Sequence, residues 1–357
     1  TEKKLDMEIT VEKCPSNADN RQAKISTILA SGDKNIDLIS VNDEMISEFK
    51  HKGYLEPLEK NVMTEEVRDS FPQKYLESIC EENGHIYSVP FQMDIMMFWV
   101  NQELLKQAGL DEIKNTGDFD ILQKSLKNPD QYAYGDAWEN THVYNSLSQF
   151  VNFWGGDYFD WTDPKTKDAA RYMKSMLDEK NTSPAQFVDQ YEQMEEKFIR
   201  GKYGCVFMYT SALGTFLDAD VYGKNKIHMA PLPVLHKKKA TNIATWQYVL
   251  NNASENKDAA VRFLQYAAGY EGSTEYAKIM KSYPARVDVI ENEDIDLEGI
   301  DMIRKYLREY TLNARPLCEN SMGAVSDMGK LFQGYVLGQC EEDSFFEQAQ
   351  NCINTYY

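Results

Sequence analysis

One apolar run limits what this chain can fold into more than any other segment. The residues from Phe91 to Val100 are apolar apart from Gln92 and Asp94, and they show almost no alternation of apolar and polar positions. Such a run is typical of a strand buried on both faces of an α/β sheet. A carboxylate in that setting is costly unless something pairs with it. Asp94 is therefore satisfied either by neighbouring backbone or cationic groups or by a ligand.

The length and the net charge limit the classes of protein to which the chain can belong. At 357 residues the chain exceeds the usual size of one domain, so we expect two. With 42% hydrophobic residues, of which many are aromatic, it can form real cores and is not a disordered chain. The formal net charge of −19 argues against nucleic acid and against anionic membrane surfaces as partners. No apolar run is long enough to span a bilayer.

Strand and helix patterns alternate along the chain. Leu5 to Val11 predicts a strand, Gln22 to Leu29 a helix and Ile36 to Val41 a second strand, an order that favours parallel pairing. The remaining patterns predict helices over 45–50, 146–154, 168–177, 194–199, 259–268, 302–312, 325–337 and 345–353, strands over 203–209, 227–233 and 246–250, and an aromatic loop over 126–145.

Motifs of enzymes, cofactor sites and metal sites are missing from the sequence. It contains no nucleophile elbow, phosphate-binding loop, zinc-protease motif or dinucleotide fingerprint, so we predict neither an enzyme nor a cofactor. Asp157, Asp160 and Asp163 could suggest a metal loop, but they lack the glycine and final glutamate of a calcium hand. We interpret the six cysteines as free thiols, and Cys340 with Cys352 is the one pair that we consider for a disulfide.

The loops that follow the predicted strands are rich in tryptophan, tyrosine, asparagine and acids. Ligands of open α/β sheets bind outside the carboxyl ends of strands. Carboxylates and amides hydrogen-bond hydroxyl pairs, and aromatic faces cover the apolar side of a sugar ring. Trp138 and Trp246 could be core residues, but their polar neighbours favour a ligand-facing role. The candidates from these loops are Asn42, Asp43, Glu44, Asp94, Trp138, Glu139, Asn140, Tyr209, Ser211 and Trp246.

Several short motifs stand in a recognisable order. They are Leu29–Asp33, Gly53–Leu58, Tyr87–Leu110, Phe198–Lys202, Pro231–Pro233, Asn251–Lys257, Ala260–Glu271, Pro284–Arg286 and Ala314–Pro316. Together they resemble the motif order of extracellular solute-binding proteins of carbohydrate ABC importers, the maltose-binding-protein-like family. Each motif alone is weak, but the ordered set extends over nearly the whole chain.

The resemblance implies a two-lobed, type II periplasmic-binding-protein-like α/β fold. Its sheets would be parallel-rich and flanked by helices, and hinge crossovers would join lobes that close on a ligand. The implied lobes are 1–92 with 248–290, and 93–247 with 291–357. The implied crossovers are Pro90–Asp94, Trp246–Tyr248 and a third near Asp288–Asp296.

The resemblance also implies a function and site residues. The function is extracellular capture of a mono- or oligosaccharide in the interlobe cleft by a monomer, which is lipid-anchored or periplasmic and delivers the sugar to an ABC permease. Asp94 and one of Asp43 and Glu44 match sugar-contacting acids, and Trp246 matches a cleft residue. The positions around Asn145 and Ser211 correspond to ring-stacking aromatics that this chain lacks there. Trp138, Tyr144 or Tyr209 would then supply stacking.

The start of the chain departs from the family pattern. Members usually carry a further strand and helix, roughly forty residues, ahead of the strand predicted at Leu5 to Val11. Without that unit a central strand of the sheet would lack its partner. We therefore expect a sequence that is trimmed relative to the mature protein, or another segment in the same place.

Two other classes of function stay open at this stage. A carbohydrate-active hydrolase needs two carboxylates about 5 Å or roughly 6.5–9.5 Å apart, and Asp94 with Glu139 is the pair we nominate. A different transported ligand is the second alternative. A polyamine would suit Asp43, Asp94 and Glu139, whereas a glycerophosphodiester would require arginine or lysine, which these loops lack. A peptide is a further option.

Overall fold

The computed structural model describes residues 2–15 and 18–357. Its strands are β1 (Leu38–Asn42), β2 (Glu81–Glu82), β3 (His85–Ile86), β4 (Val89–Asn101), β5 (Tyr132–Gly135), β6 (Tyr203–Tyr209), β7 (Ile227–Ala230), β8 (Ala240–Leu250) and β9 (Thr311–Ala314).

Helices connect most of these strands. They are α1 (Glu2–Leu5), α2 (Ala18–Ser31), α3 (Asp43–His51), α4 (Glu65–Arg68), α5 (Gln73–Tyr75), α6 (Gln102–Gln107), α7 (Thr116–Ser125), α8 (Val143–Trp154), α9 (Pro164–Asp178), α10 (Tyr191–Ile199), α11 (Ala212–Asp218), α12 (Lys257–Ala268), α13 (Tyr270–Met280), α14 (Val287–Glu291), α15 (Ile300–Glu309), α16 (Ser321–Val336) and α17 (Glu342–Tyr356). Leu76–Cys80 forms a π-helical turn and Pro184–Val188 a 3-10 helix.

The chain divides into two compact units. The first contains Thr1–Met93, Ala244–Ile300 and Leu317–Ser321, and the second contains Asp94–Ile243, Asp301–Pro316 and Met322–Tyr357. Strands β4 and β8 each contribute residues to both units, since the divisions fall inside them.

In the first unit, β1 pairs with the C-terminal half of β8. The pairing is antiparallel and runs from Leu38 opposite Leu250 to Asn42 opposite Trp246. Helix α3 begins directly after Asn42 and buries Ile46 and Phe49 in the core of this unit. Polar side chains at the end of β1 are therefore held at a fixed place beside β8.

In the second unit, β4 pairs with β6 and β7, and β5 pairs with β6. The β4 pairings are antiparallel, with Met96 opposite Tyr209 and Phe98 opposite Ala230, and β5 runs parallel to β6. The apolar run of β4 is buried without interruption from Met93 to Val100, as the sequence predicts. Strand β4 ends at Asn101, whose side chain caps α6 by accepting from two backbone N–H groups.

Three sequence predictions need correction. Residues 5–11 form no strand: α1 ends at Leu5, and the following residues are mostly exposed and irregular. Their alternating pattern has no sheet surface to pack on, and β1 pairs antiparallel with β8 rather than parallel with this segment. Strands β5 and β9 lie where a loop and the end of a helix were predicted, because four-residue strands carry too little periodicity to detect.

The third crossover between the units lies further along the chain than the resemblance implies. Residues 288–296 begin inside α14, and the chain enters the second unit only after Ile300.

All six cysteines are free thiols, including Cys340 and Cys352. Within residues 2–15 and 18–357, no helix combines the length and apolar character that crossing a membrane requires.

Gly329 in α16 provides a test of packing in the second unit. A methyl group at this glycine would lie 2.0 Å from the backbone oxygen of Asn140. We expect Gly329→Ala to lower the free energy of unfolding by about 1–3 kcal/mol through overpacking. In the same helix, a methyl at Gly334 would meet only a side-chain atom at 3.9 Å, and Gly334→Ala should raise stability by up to about 1 kcal/mol. Urea unfolding followed by circular dichroism measures both, and equal effects would refute this packing.

Candidate functional site

Four candidate residues of the first unit lie where β1 meets β8. Asn42 is the last residue of β1 and stands opposite Trp246, so the register of two strands sets their proximity. The Asn42 amide nitrogen donates to Glu44 Oε2 at 2.9 Å. Its Oδ1 is buried and has no hydrogen-bond partner among the described residues. A buried acceptor without a donor is rare in folded proteins and suggests that water or a ligand completes it.

Trp246 is half-buried, unlike most of the tryptophans in the chain. The guanidinium of Arg21, from α2, lies 5.2 Å from the centre of its ring. A cation over one face of an indole fixes the ring and leaves the remaining exposed surface for other contacts. Trp246 thus offers an ordered aromatic surface beside the Asn42 amide.

Asp43 belongs to the interior of the first unit. Its side chain is fully buried and accepts a hydrogen bond from the Tyr75 hydroxyl at 3.0 Å. The same hydroxyl lies 2.7 Å from Thr245 Oγ1 and accepts from Gln247 Nε2. The prediction that Asp43 contacts a ligand is therefore contradicted, and the half-buried Glu44 is the acid that stands beside Asn42.

Asp94 is the central candidate of the second unit. It is 8% exposed, and its Oδ1 accepts from Thr210 Oγ1 at 2.6 Å and from the Ser211 backbone N–H at 2.9 Å. Both donors directly follow β6, whose register with β4 brings them to this carboxylate. Burial raises the pKa of Asp94, although hydrogen bonds from Thr210 and from the backbone and side chain of Ser211, together with the charge of Arg315, act in the opposite direction.

A polar and aromatic cluster forms near the end of β6. The Tyr209 hydroxyl donates to Asn145 Oδ1 at 2.9 Å, and Arg315 Nη1 donates to the Tyr144 hydroxyl at 2.7 Å. The Arg315 guanidinium lies 5.9 Å from the ring centres of both Tyr144 and Tyr209. The structure therefore brings together three candidates from α8 and β6 with one arginine that lies more than a hundred residues further along the chain.

Trp138 is a core residue of the second unit. It is fully buried, and its indole N–H donates to Asp136 Oδ2 at 2.9 Å. The Phe187 and Phe332 rings pack edge-on against it at about 5.5 Å. The prediction that Trp138 presents a face to a ligand is wrong, because polar neighbours in the sequence do not report burial.

Asp136, which the sequence analysis did not single out, organises this region. Its buried carboxylate accepts from the Tyr134 hydroxyl at 2.8 Å, from Ser146 Oγ at 2.5 Å and from the Ala137 N–H at 2.8 Å, besides the Trp138 indole. Burial raises the pKa of Asp136, and these donors oppose that rise. The carboxylate links β5 to α8 and so fixes the helix that carries Tyr144 and Asn145. A small cavity of about 20 Å³, enough for one water, lies next to it.

Glu139 and Asn140 lie in the loop before α8. Glu139 is half-buried, and its Oε2 accepts from the Thr141 N–H and hydroxyl and lies 3.2 Å from His142 Nδ1. Partial burial would raise the pKa of Glu139, but the hydrogen bonds from Thr141 and the interactions with His142 together outweigh it, and the pKa is lowered. Asn140 is half-buried and packs its backbone against Gly329. The Glu139 side chain therefore serves the local turn.

The alternatives from the sequence fare unequally. The proposed hydrolase carboxylates, Asp94 and Glu139, are each engaged with separate local donors. A polyamine site is less favoured, because Asp43 is fully buried and Arg315 adds positive charge near Asp94. Sequence reasoning missed Thr210, although it named the flanking residues, and Arg315, which only a long-range contact brings here. Across residues 2–15 and 18–357 no group of three acidic, histidine or cysteine side chains is arranged to hold a metal ion.

The aspartates of the suspected metal loop have other roles. Asp157 accepts from the Phe159 N–H, and Asp160 accepts from the Thr162 N–H and hydroxyl. Asp163 caps α9 by accepting from the Lys165 N–H. These contacts are those of tight turns and a helix N-terminus.

The raised pKa of Asp94 predicts a pH-dependent effect of Asp94→Asn. In the wild type the folded state binds its proton more tightly than the unfolded state does, so stability falls as the pH rises through the folded pKa. Asparagine cannot ionise, and the melting temperature of the variant minus that of the wild type should increase from pH 4 to pH 7. Differential scanning calorimetry measures it. Asp218→Asn removes a carboxylate at an exposed position of α11 and is the control against which the pH dependence of Asp94→Asn is compared. A flat line for Asp94→Asn would contradict the assignment.

Comparison with known proteins places the chain in a family. An arabinooligosaccharide-binding protein of Bacillus subtilis is 22% identical over 286 residues, covering 76% of this chain and 65% of its own length. A probable amino-acid ABC transporter periplasmic-binding protein of Sinorhizobium fredii is 24% identical over 239 residues, covering 64% of this chain and 54% of its own. The chain therefore spans between about half and two-thirds of the length of these relatives.

A solved structure confirms the fold class. Maltose-bound MalE3 from T. maritima has a TM-score of 0.81 at 17% identity, with 99% of this chain and 93% of that chain covered. The predicted α/β, periplasmic-binding-protein-like fold is thus confirmed. The family described as bacterial extracellular solute-binding protein matches residues 8–274. Because this match covers well over half of the chain, the protein belongs to the bacterial extracellular solute-binding protein family.

Proposed function

We propose that this protein is the extracellular substrate-binding component of an ABC importer and that its ligand is a carbohydrate, delivered unchanged to a membrane permease. The observation that carries the sugar assignment is the pair formed by Asn42 and Trp246. A buried amide oxygen that receives no hydrogen bond from the described part of the chain and an ordered indole surface stand on neighbouring strands. A sugar supplies a hydroxyl to the first and an apolar ring face to the second.

The second unit contains further candidate groups. The Thr210 hydroxyl and the Ser211 N–H both donate to Oδ1 of Asp94, and on this proposal the carboxylate also accepts a ligand hydroxyl. Tyr209 and Arg315 stand in the cluster beside it and add an aromatic surface and a donor-rich side chain. On this proposal Asn42, Glu44, Asp94, Asn145, Tyr209, Ser211 and Trp246 take part in sugar binding. Tyr144 positions Arg315 through its hydroxyl.

The relatives support this choice of ligand class. One binds an arabinooligosaccharide and the solved structure holds maltose, as their names state. The relative named for amino-acid transport makes an amino acid the competing ligand. Arg315 is the observation that would favour such an anionic ligand, or a glycerophosphodiester. We place the protein outside the cytoplasmic membrane, lipid-anchored or periplasmic, and assign it no catalytic step.

Calorimetric titration distinguishes these ligand classes. We expect measurable binding of a sugar or polyol from a panel containing maltose, arabino-oligosaccharides and mannitol. Glutamate and glycerophosphoglycerol in the same buffer should give no heat of binding. Saturable binding of either of them, without any sugar binding, would refute the carbohydrate proposal. Recovery of the sugar unchanged after overnight incubation tests the absence of hydrolysis.

Substitutions at the two polar anchors should weaken sugar binding without unfolding the protein. We expect Asn42→Ala and Asp94→Ala each to cost about 1–3 kcal/mol of binding, which is roughly a 5- to 160-fold increase in Kd. Asn35→Ala and Asp218→Ala change the same residue types at exposed positions and should leave the Kd unchanged. Unchanged affinity in both anchor variants would mean that these groups are structural only.

A further inference from the structure

The first unit contains an aromatic pocket that the proposed sugar site does not use. Its volume is about 180 Å³, and residues from β4, β8, α12 and α13 line it. The exposed side chains of Ile279 and Met280 stand at the pocket as well, so a molecule can reach it from solvent. The residues that matter to its chemistry are Phe91, Tyr248, Phe263, Tyr266, Glu275 and Tyr276.

The rings of this pocket are held in fixed orientations. Phe91 stacks on Tyr248 with ring centres 4.2 Å apart, and Tyr276 packs edge-on against Phe91 at 5.4 Å. Phe263 meets Tyr248 edge-on at 5.4 Å, and the Tyr276 hydroxyl donates to Gln92 at 2.6 Å. Aromatic faces are the negative regions of the ring quadrupole, so a cage of such rings attracts cations.

A carboxylate completes the negative character of the pocket. Glu275 lies in the lining, and the Tyr266 hydroxyl donates to its Oε2. Its Oε1 accepts from the ammonium of Lys4 at 2.5 Å, and that ammonium also bonds Glu271. The hydrogen bond from Lys4 lowers the pKa of Glu275, followed by that from Tyr266, which keeps the carboxylate ionised. The ring of Tyr266 lies 5.7 Å below the Lys4 nitrogen.

The contacts of Lys4 indicate that an ammonium group suits the edge of this pocket. An ammonium group stands on the pocket's carboxylate and over one of its rings, although it enters from the side of α1 and does not fill the aromatic space. A neutral polyol would find few partners here, since the Tyr266 and Tyr276 hydroxyls already donate elsewhere. The net charge of −19 further favours the approach of a cation.

We propose that this pocket binds a small organic ammonium ion, with the alkyl groups against the aromatic rings and the charge beside Glu275. Lys4 holds the same carboxylate and so competes with the ligand for it. A trimethylammonium group fits the available space with room for a short chain. The inference is independent of the sugar proposal, because none of the pocket residues belongs to the proposed sugar site.

The test compares two molecules of the same shape on the full 357-residue chain. Choline carries a trimethylammonium group, and 3,3-dimethyl-1-butanol replaces it with a neutral tert-butyl group. Line broadening of the methyl proton signal reports binding at constant ionic strength. We expect choline to bind in the millimolar range and at least about five times more tightly than the alcohol, as a partly desolvated cation–π site implies. Equal affinity would reduce the pocket to a plain apolar cavity and overturn the proposal.

Three variants separate the cation site from general packing. Glu275→Gln should weaken choline binding by about 3- to 10-fold, as the loss of one partly exposed charge contact predicts, and should leave alcohol binding unchanged. Lys4→Ala should tighten choline binding, because the internal competitor is gone. Lys3→Ala removes a neighbouring exposed charge and should leave the affinity close to that of wild type. If Lys4→Ala and Lys3→Ala behave alike, competition at Glu275 is refuted. Melting temperatures confirm that each variant is folded.

Discussion

The antiparallel register of β4 and β6 is the constraint on which the second unit depends. Because β4 is buried from Met93 to Val100, its backbone groups must pair with neighbouring strands and its one carboxylate must find donors. The alignment of Met96 with Tyr209 meets both demands, since it carries Thr210 and Ser211 to Asp94. A slip of one residue would exchange the two faces of β4 and move the Asp94 carboxylate away from these donors.

Local pattern was enough to locate most of the regular structure. The strand at Tyr203–Tyr209 has the predicted bounds. The ends of the helices predicted at Gln22–Leu29 and Ala259–Ala268 lie within a few residues of the observed ends. Burial of single polar or aromatic residues was not predictable in this way. Trp138 and Asp43 look like exposed loop residues in the sequence, yet long-range partners enclose them. Arg315 reaches the cluster for the same reason, because contacts between distant segments leave no local periodicity.

Three buried aspartates illustrate how differently the fold treats the same side chain. Asp136 receives four donors and acts as a structural link between β5 and α8. Asp43 is part of a hydroxyl and amide network around Tyr75. Asp94 accepts from the Thr210 hydroxyl and the Ser211 N–H at its Oδ1, next to a cluster of tyrosines and an arginine. The hydrogen-bond donors around each carboxylate, rather than its burial alone, distinguish an aspartate with a structural role from one that is a candidate for ligand binding.

The uneven burial of the tryptophans gives the protein a built-in optical reporter. Trp99, Trp138 and Trp161 are fully enclosed and Trp154 is only 6% exposed, so their emission is insulated from events at the surface. Trp246 alone combines partial exposure with a guanidinium 5.2 Å from its ring centre. The fluorescence of an indole responds to nearby charge and to displaced water. A molecule that binds at this ring will therefore shift the emission of Trp246. No dye or label is needed to observe it.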